Sequence, residues 1–240
     1  MEGVPQEIAL FLDVDGTLLD LAPHPASVVV PAGLIDALAA AEKRLGGALA
    51  LVSGRPIAAL DRLFAPLLLR ASGVHGAEIR CAPGDSVRMS AERRMPRAAW
   101  SELVGILARF PGTFPEDKCV SFAIHYPAAG AGADELAAAL GRLAARFGEF
   151  ELELTAGHRV FEVRLPGFDK GKAIESFMAK APFLHRRPVF IADDAMDRAG
   201  FETALAHGGL AYSVGCTLPG LSGSFPAPSA VRDWLGRIGR

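Results

Sequence analysis

Ile8-Ala9-Leu10-Phe11-Leu12 is apolar at every position and stops at Asp13. So short and unbroken a run predicts a strand, near 7–14, buried on both faces as in a parallel sheet covered by helices. Leu34, Leu38, Ala41 and Leu45 then recur at helical spacing and predict a helix over 31–45. A strand at 48–52, a helix at 56–65 and a strand at 67–71 continue the alternation. After Gly73-Val74-His75-Gly76-Ala77-Glu78 the rhythm changes. A hairpin is expected to turn at Pro83-Gly84-Asp85, followed by an amphipathic helix near 96–109 carrying Trp100, Leu103, Ile106, Leu107 and Phe110. Strict alternation in Val120-Ser121-Phe122-Ala123-Ile124-His125-Tyr126 marks a half-buried antiparallel strand. A helix at 133–147 and alternating strands at 149–155 and 158–165 complete a helix-strand-helix-strand-strand insert. The strand-helix rhythm returns at Lys170, with strands near 188–192 and 210–214, a Pro/Gly/Ser-rich loop over 219–229 and a last helix at 229–238.

Composition narrows the class. At 240 residues and 50% hydrophobic, the chain can bury a large α/β core with a small accessory domain. A net charge of −2 argues against a nucleic-acid binder or a polybasic membrane protein. Cys81, Cys119 and Cys216 are scattered without metal-like pairing and suit reduced thiols. The N-terminus is acidic, lacks a basic region before its first short apolar run, and no run is long enough to span a bilayer. The expectation is a cytoplasmic monomer with a small-molecule substrate.

The chemistry begins where the first strand ends. Asp13 and Asp15 are one residue apart, so a strand-like backbone can aim both carboxylates at one site. Parallel α/β sheets bind ligands beyond the carboxyl ends of their strands. Two like charges buried there are costly unless a cation or a shared proton compensates.

Asp13-Val14-Asp15-Gly16-Thr17-Leu18 resembles the opening motif of the haloacid dehalogenase (HAD) superfamily, most of whose members are phosphatases. Three later segments resemble its other motifs in the required order. These are Leu49-Ala50-Leu51-Val52-Ser53-Gly54-Arg55-Pro56, Gly167-Phe168-Asp169-Lys170-Gly171-Lys172, and Val189-Phe190-Ile191-Ala192-Asp193-Asp194-Ala195-Met196-Asp197. A nucleotide-cradling loop is excluded at 167–172, because the glycine spacing is short and no Ser or Thr follows Lys172. The resemblance implies an α/β fold: a Rossmann-like parallel-sheet HAD core over 1–93 and 168–240, with a small inserted α+β cap over 94–167. It implies Asp13 as nucleophile and Asp15 as general acid and base. Ser53, the Gly54 turn and Lys170 would hold the phosphate. Mg²⁺ would be held by Asp13, Asp193 and the Asp15 carbonyl, with Asp194 and Asp197 supporting from the edge.

Further segments narrow the resemblance to trehalose-6-phosphate phosphatases. Gly73-Val74-His75-Gly76-Ala77-Glu78 is similar to that family's His-Gly-x-Glu element. Glu116-Asp117-Lys118-Cys119-Val120-Ser121-Phe122-Ala123-Ile124-His125-Tyr126 resembles its cap strand, and Glu162-Val163-Arg164 its Glu-x-Arg. By that resemblance Arg55, His75, Glu78, Glu116, Lys118, Ser121, His125 and Glu162 are the candidates to bind substrate. Sugar hydroxyls want carboxylate and ammonium partners, and a site left with unpaired polar groups rejects the wrong substrate. The chain departs from the pattern at Met196 and Arg198, where the family has Thr and Glu, and at Pro127, where an Arg often follows Tyr126. The rival readings are a phosphatase for sucrose phosphate or a mannosyl phosphate, a phosphomutase, and a sugar-phosphate sensor without turnover.

Overall fold

The computed structural model describes residues 7–22, 27–89, 94–126, 132–157 and 159–239. Its backbone divides into two units, Met1–Ser90 with Asp169–Arg240, and Ala91–Phe168. The first unit opens with β1 (Ile8–Leu12), α1 (Leu34–Arg44), β2 (Leu49–Val52), α2 (Ile57–Phe64) and β3 (Arg70–Gly73). The hairpin of β4 (Glu78–Arg80) and β5 (Arg88–Met89) follows. The second unit holds α3 (Arg97–Leu107), β6 (Phe114–Asp117), β7 (Ser121–His125), α4 (Ala133–Arg146), β8 (Glu153–Gly157) and β9 (Val160–Arg164). The chain returns to the first unit with α5 (Lys170–Met178), β10 (Arg187–Ala192), α6 (Arg198–Ala206), β11 (Leu210–Val214), β12 (Gly223–Phe225) and α7 (Pro228–Ile238).

In the first unit the sheet runs β12-β11-β10-β1-β2-β3-β4-β5, parallel from β12 through β3 and antiparallel over the last two strands. β1 is buried at all five positions, as its unbroken hydrophobicity requires of a central strand. Phe11 packs against Phe183 at 5.3 Å and Phe177 at 6.1 Å between ring centroids. Each fully buried Leu or Phe contributes roughly 1.5–3 kcal/mol from area alone, so this layer holds the strand ends rigid. Register then decides where the site lies. Leu12 pairs with Ile191 on one side and Leu51 on the other, so Asp13, Ser53 and Asp193 all leave the sheet at the same edge. That edge is the carboxyl end of β1, where the strand order turns back on itself.

The second unit is a four-stranded antiparallel sheet in the order β6-β7-β9-β8, covered by α3 and α4. Phe122, Ile124, Phe161 and Val163 share the buried parity, and Trp100 of α3 meets Phe122 edge-on at 5.1 Å. The opposite parity carries Ser121 and His125 of β7, Glu162 and Arg164 of β9, and Phe114 and Glu116 of β6.

Several expected elements shift. The strand expected at 67–71 forms instead at β3, because pairing with β2 begins at Arg70. Residues Gly148–Phe150 make a 3₁₀ turn, so the strand expected from 149 starts at Glu153. The insert has one more strand than expected, β6, and the loop expected over 219–229 contains β12. The departure at Pro127, residue 158 at the start of the last insert strand and residue 93 at the expected boundary lie outside the described residues. No helix among the described residues is long and apolar enough to cross a membrane.

Candidate active site

Asp13 follows β1 directly and is nearly buried. Lys170, the first residue of α5, reaches it with Nζ 2.8 Å from Oδ1 and also lies 2.6 Å from Asp197 Oδ1. Asp169 caps that helix, its side chain accepting from the Lys172 amide at 2.8 Å, which sets the direction in which Lys170 leaves. Lys172 itself is exposed and pairs with Asp169. Asp194, after β10, accepts from the Met196 amide at 2.9 Å and closes the short turn that swings Asp197 inward. Asp197, expected to support the site from its edge, thus contacts Lys170 directly. Arg198 is turned outward onto Glu202 at 2.6 Å.

One carboxylate oxygen each from Asp13, Asp193 and Asp197 lie within 4.8 Å of one another. The second oxygen of Asp197 is buried with no hydrogen-bond partner among the described residues. A concentrated, incompletely satisfied set of hard oxygen donors fits a divalent cation of the Mg²⁺ type. Gly16 makes room for the Asp193 carboxylate: its φ is +72° and any side chain there would overlap that group.

The electrostatics follow from crowding. Burial raises the Asp13 pKa to about 6; the Lys170 charge opposes this and the Asp197 charge adds to it. Asp193 is raised to about 8 by burial and then by the charges of Asp13 and Asp197. For Lys170 burial works against the charge, but the two carboxylates outweigh it and hold the ammonium form. Both Asp residues thus hold protons in the native state at pH values where the unfolded chain has released them. The stability this gives is complete below the ordinary value of 3.8 and is lost as pH rises through about 6 for Asp13 and about 8 for Asp193. In EDTA, the midpoint of thermal unfolding should therefore rise as pH falls from 8.5 to 6. Asp193 is partly solvated, so the gain is on the order of 1 kcal/mol, or about 2–4 °C. Excess Mg²⁺ should remove or reverse the trend, because the cation replaces those protons. A flat profile in EDTA, measured by scanning fluorimetry, would contradict it.

Arg55 forms a fork on Asp15, with Nε 2.6 Å from Oδ2 and Nη2 2.7 Å from Oδ1. Ser53 is buried and its hydroxyl accepts the Arg55 amide at 3.1 Å, tightening the turn after β2. Gly54 lies against the His75 ring, and Glu78 accepts the Ile57 amide at 2.6 Å. Thr17, outside the expected set of site residues, donates toward Asp13 Oδ2 at 3.4 Å. Its place four residues after Asp13, in the same motif, was the available signal.

In the second unit, Glu162 is buried, accepts from the Ser121 hydroxyl at 2.8 Å and lies 3.7 Å from Lys118 Nζ. His125 Nε2 is 3.6 Å from Glu116 Oε2, and its ring stacks on Phe114 at 5.2 Å. Glu116, Lys118, Ser121, His125 and Glu162 are thus brought together on the polar face of one sheet.

The fold is that of the HAD phosphatases. A solved phosphatase from Bacteroides thetaiotaomicron, described as a member of the Haloalkanoate (HAD) Enzyme Superfamily, superposes with a TM-score of 0.60 over 99% of this chain and 98% of its own, at 16% identity. A solved trehalose-6-phosphate phosphatase related protein matches more closely, with a TM-score of 0.79 and 25% identity over 96% of each chain. The trehalose-6-phosphate phosphatase of Escherichia coli (strain K12) is 36% identical over 232 residues, 96% of this chain and 86% of its own length. The family model for trehalose-phosphatase matches residues 11–223. The chain belongs to the trehalose-phosphatase family and is a phosphomonoester hydrolase.

Proposed function

We propose that the protein hydrolyses trehalose 6-phosphate to trehalose and inorganic phosphate through an aspartyl-phosphate on Asp13. The observation that carries this reading is the Asp13 carboxylate, held at the sheet edge by Lys170 at 2.8 Å beside Asp193 and Asp197. Asp13 Oδ attacks phosphorus in line and the bond to the sugar oxygen breaks, which splits one hard displacement into two. Asp15 gives a proton to the leaving sugar oxygen and takes one from the water that releases the phosphate. The Arg55 fork occupies both Asp15 oxygens. When Asp15 is protonated, the oxygen that carries the proton is a poor acceptor, so the arm of the fork on that oxygen must give way for the proton to reach the leaving group. Lys170 keeps its charge and, with Ser53 and the Gly54 turn, offsets the phosphoryl negative charge.

Asp13, Asp193 and the Asp15 carbonyl would hold Mg²⁺, with Asp197 and Asp194 supporting. Bound there, the cation supplies charge stabilisation and orientation of the phosphoryl group. We assign Glu116, Lys118, Ser121, His125 and Glu162 to the sugar hydroxyls and treat residues 94–167 as the specificity cap. Ser121 and Lys118 hold the buried Glu162 in place on that polar face, which offers carboxylate, hydroxyl and ammonium groups of the kind sugar hydroxyls pair with. Net charge near zero favours a sugar phosphate over nucleic acid or a membrane as partner. Three free thiols suit a reducing cytoplasm.

Phosphate release from a panel of sugar phosphates, with and without Mg²⁺, tests this. Trehalose 6-phosphate should be turned over only with Mg²⁺, with a kcat/KM at least about 10²-fold above glucose 6-phosphate, because the second glucose adds several hydroxyl contacts. Equal values for the two would remove the disaccharide assignment. Release from sucrose phosphate alone would move it to the rival enzyme, and no release from any member would leave the sensor.

A further inference from the structure

We infer that Glu78 is a positioning residue, whose carboxylate holds the start of α2 and, through it, the Ser53–Arg55 turn in the geometry that phosphoryl transfer needs. This deepens the hydrolase reading above and rests on it. α2 begins without a side-chain cap of its own: Pro56 occupies the cap position and has no N–H. Ile57 therefore presents the first free amide of a helix whose end carries a partial positive charge. Glu78, from a strand 21 residues further on, accepts that amide at 2.6 Å and brings a negative charge to it. Its own backbone is fixed by pairing with Gly73 and by the Ser72 hydroxyl, which donates to its carbonyl at 3.0 Å.

The rest of the segment grips the same turn. The Val74 amide donates to the Arg55 carbonyl and the His75 amide to the Ser53 carbonyl, both at 3.1 Å. Both residues adopt positive φ, 48° and 53°, which a β-branched valine takes only where its surroundings dictate it. A side chain at Gly73 would lie 2.7 Å from the Arg55 carbonyl, 2.8 Å from the Ile57 amide and 2.9 Å from the Glu78 carboxylate. The clamp thus closes at backbone distance. Its far end is functional: the Ser53 hydroxyl accepts the Arg55 amide and the Arg55 fork holds Asp15. An oxygen of Glu78 committed to the Ile57 amide orients the reacting groups from behind.

Steady-state kinetics of Glu78→Ala and Glu78→Gln on trehalose 6-phosphate and on p-nitrophenyl phosphate, with Mg²⁺, separate this from a sugar contact. Amide hydrogen exchange at Ile57–Leu60 is followed alongside. The alanine variant should lose about 10–100-fold in kcat on both substrates with KM for the sugar phosphate nearly unchanged, and should exchange faster at Ile57. Glutamine still accepts the Ile57 amide and should restore kcat to within about threefold of wild type. A raised KM for trehalose 6-phosphate in both variants, with p-nitrophenyl phosphate turnover intact, would overturn the inference. So would an alanine variant that loses thermal stability but keeps kcat, or one whose Ile57 exchange is unchanged. A wild-type protein active on p-nitrophenyl phosphate alone would fail the trehalose assignment while leaving the Glu78 comparison decisive. If it turned over neither substrate the hydrolase reading itself would fall, and the kinetic role of Glu78 with it.

Discussion

Asp13→Asn should abolish phosphate release from trehalose 6-phosphate, lowering kcat by at least about 10⁴-fold, while the protein stays folded. The amide keeps the shape of the carboxylate but is no nucleophile, so no covalent intermediate forms. What remains is the ability of Lys170, Ser53 and the turn amides to bind phosphate without a first displacement. Stability should move the other way. Burial already raises the Asp13 pKa to about 6, so the native fold resists the charge that the substitution removes. In EDTA at pH 8 the variant should unfold at or above the wild-type temperature, and Lys170 retains Asp197 as partner at 2.6 Å. Rapid-quench trapping of phosphorylated protein provides the direct check: label on wild type and none on the variant. Residual activity above about 1% of wild type would contradict covalent catalysis by Asp13.

Lys170→Met should be the most damaging single substitution for activity and stability together. Lys170 is nearly buried between two nearly buried carboxylates, at 2.8 Å and 2.6 Å. Removing one partner of a buried pair leaves uncompensated charge and typically costs about 3–5 kcal/mol. For a chain of this size that corresponds to a fall of about 10 °C in Tm at pH 8 without metal. The loss should shrink at pH 5, where Asp13 takes up a proton and no longer needs the ammonium. A penalty independent of pH would mean that Lys170 acts by packing rather than by charge. With Mg²⁺ restored, turnover should still fall at least about 10³-fold, because the ammonium that lies on Asp13 no longer offsets the phosphoryl charge.

The strands and the side-chain partnerships that the sequence does not announce share one cause. β6 was hidden because four residues containing Pro115 carry no alternation by themselves; they become a strand only where β7 folds back beside them. β12 is three residues in a Gly/Ser/Pro-rich stretch, made a strand by its register with β11. For Arg55 the sequence leaves open a sugar contact or an ion pair, and the structure turns its fork onto Asp15 across 40 positions of sequence. Asp197 looked peripheral by its place at the end of a motif. The turn closed by Asp194 brings it to Lys170.

The Asp13–Asp15 pair, its strand, the later strand ends that carry Ser53 and Asp193, and the membership these motifs announce are local matters. Each is a hydrophobic run followed by a polar turn, and one period of side-chain alternation suffices to read it. The pairings among those residues are not local. That Leu12 sits between Ile191 and Leu51 brings three separate motifs to one edge. That Glu78 meets Ile57, and that Lys170 lies between Asp13 and Asp197, are products of strand order and register. A hydrogen bond or ion pair between residues far apart in the chain exists only when the rest of the fold has already met the entropy of closing the loop between them.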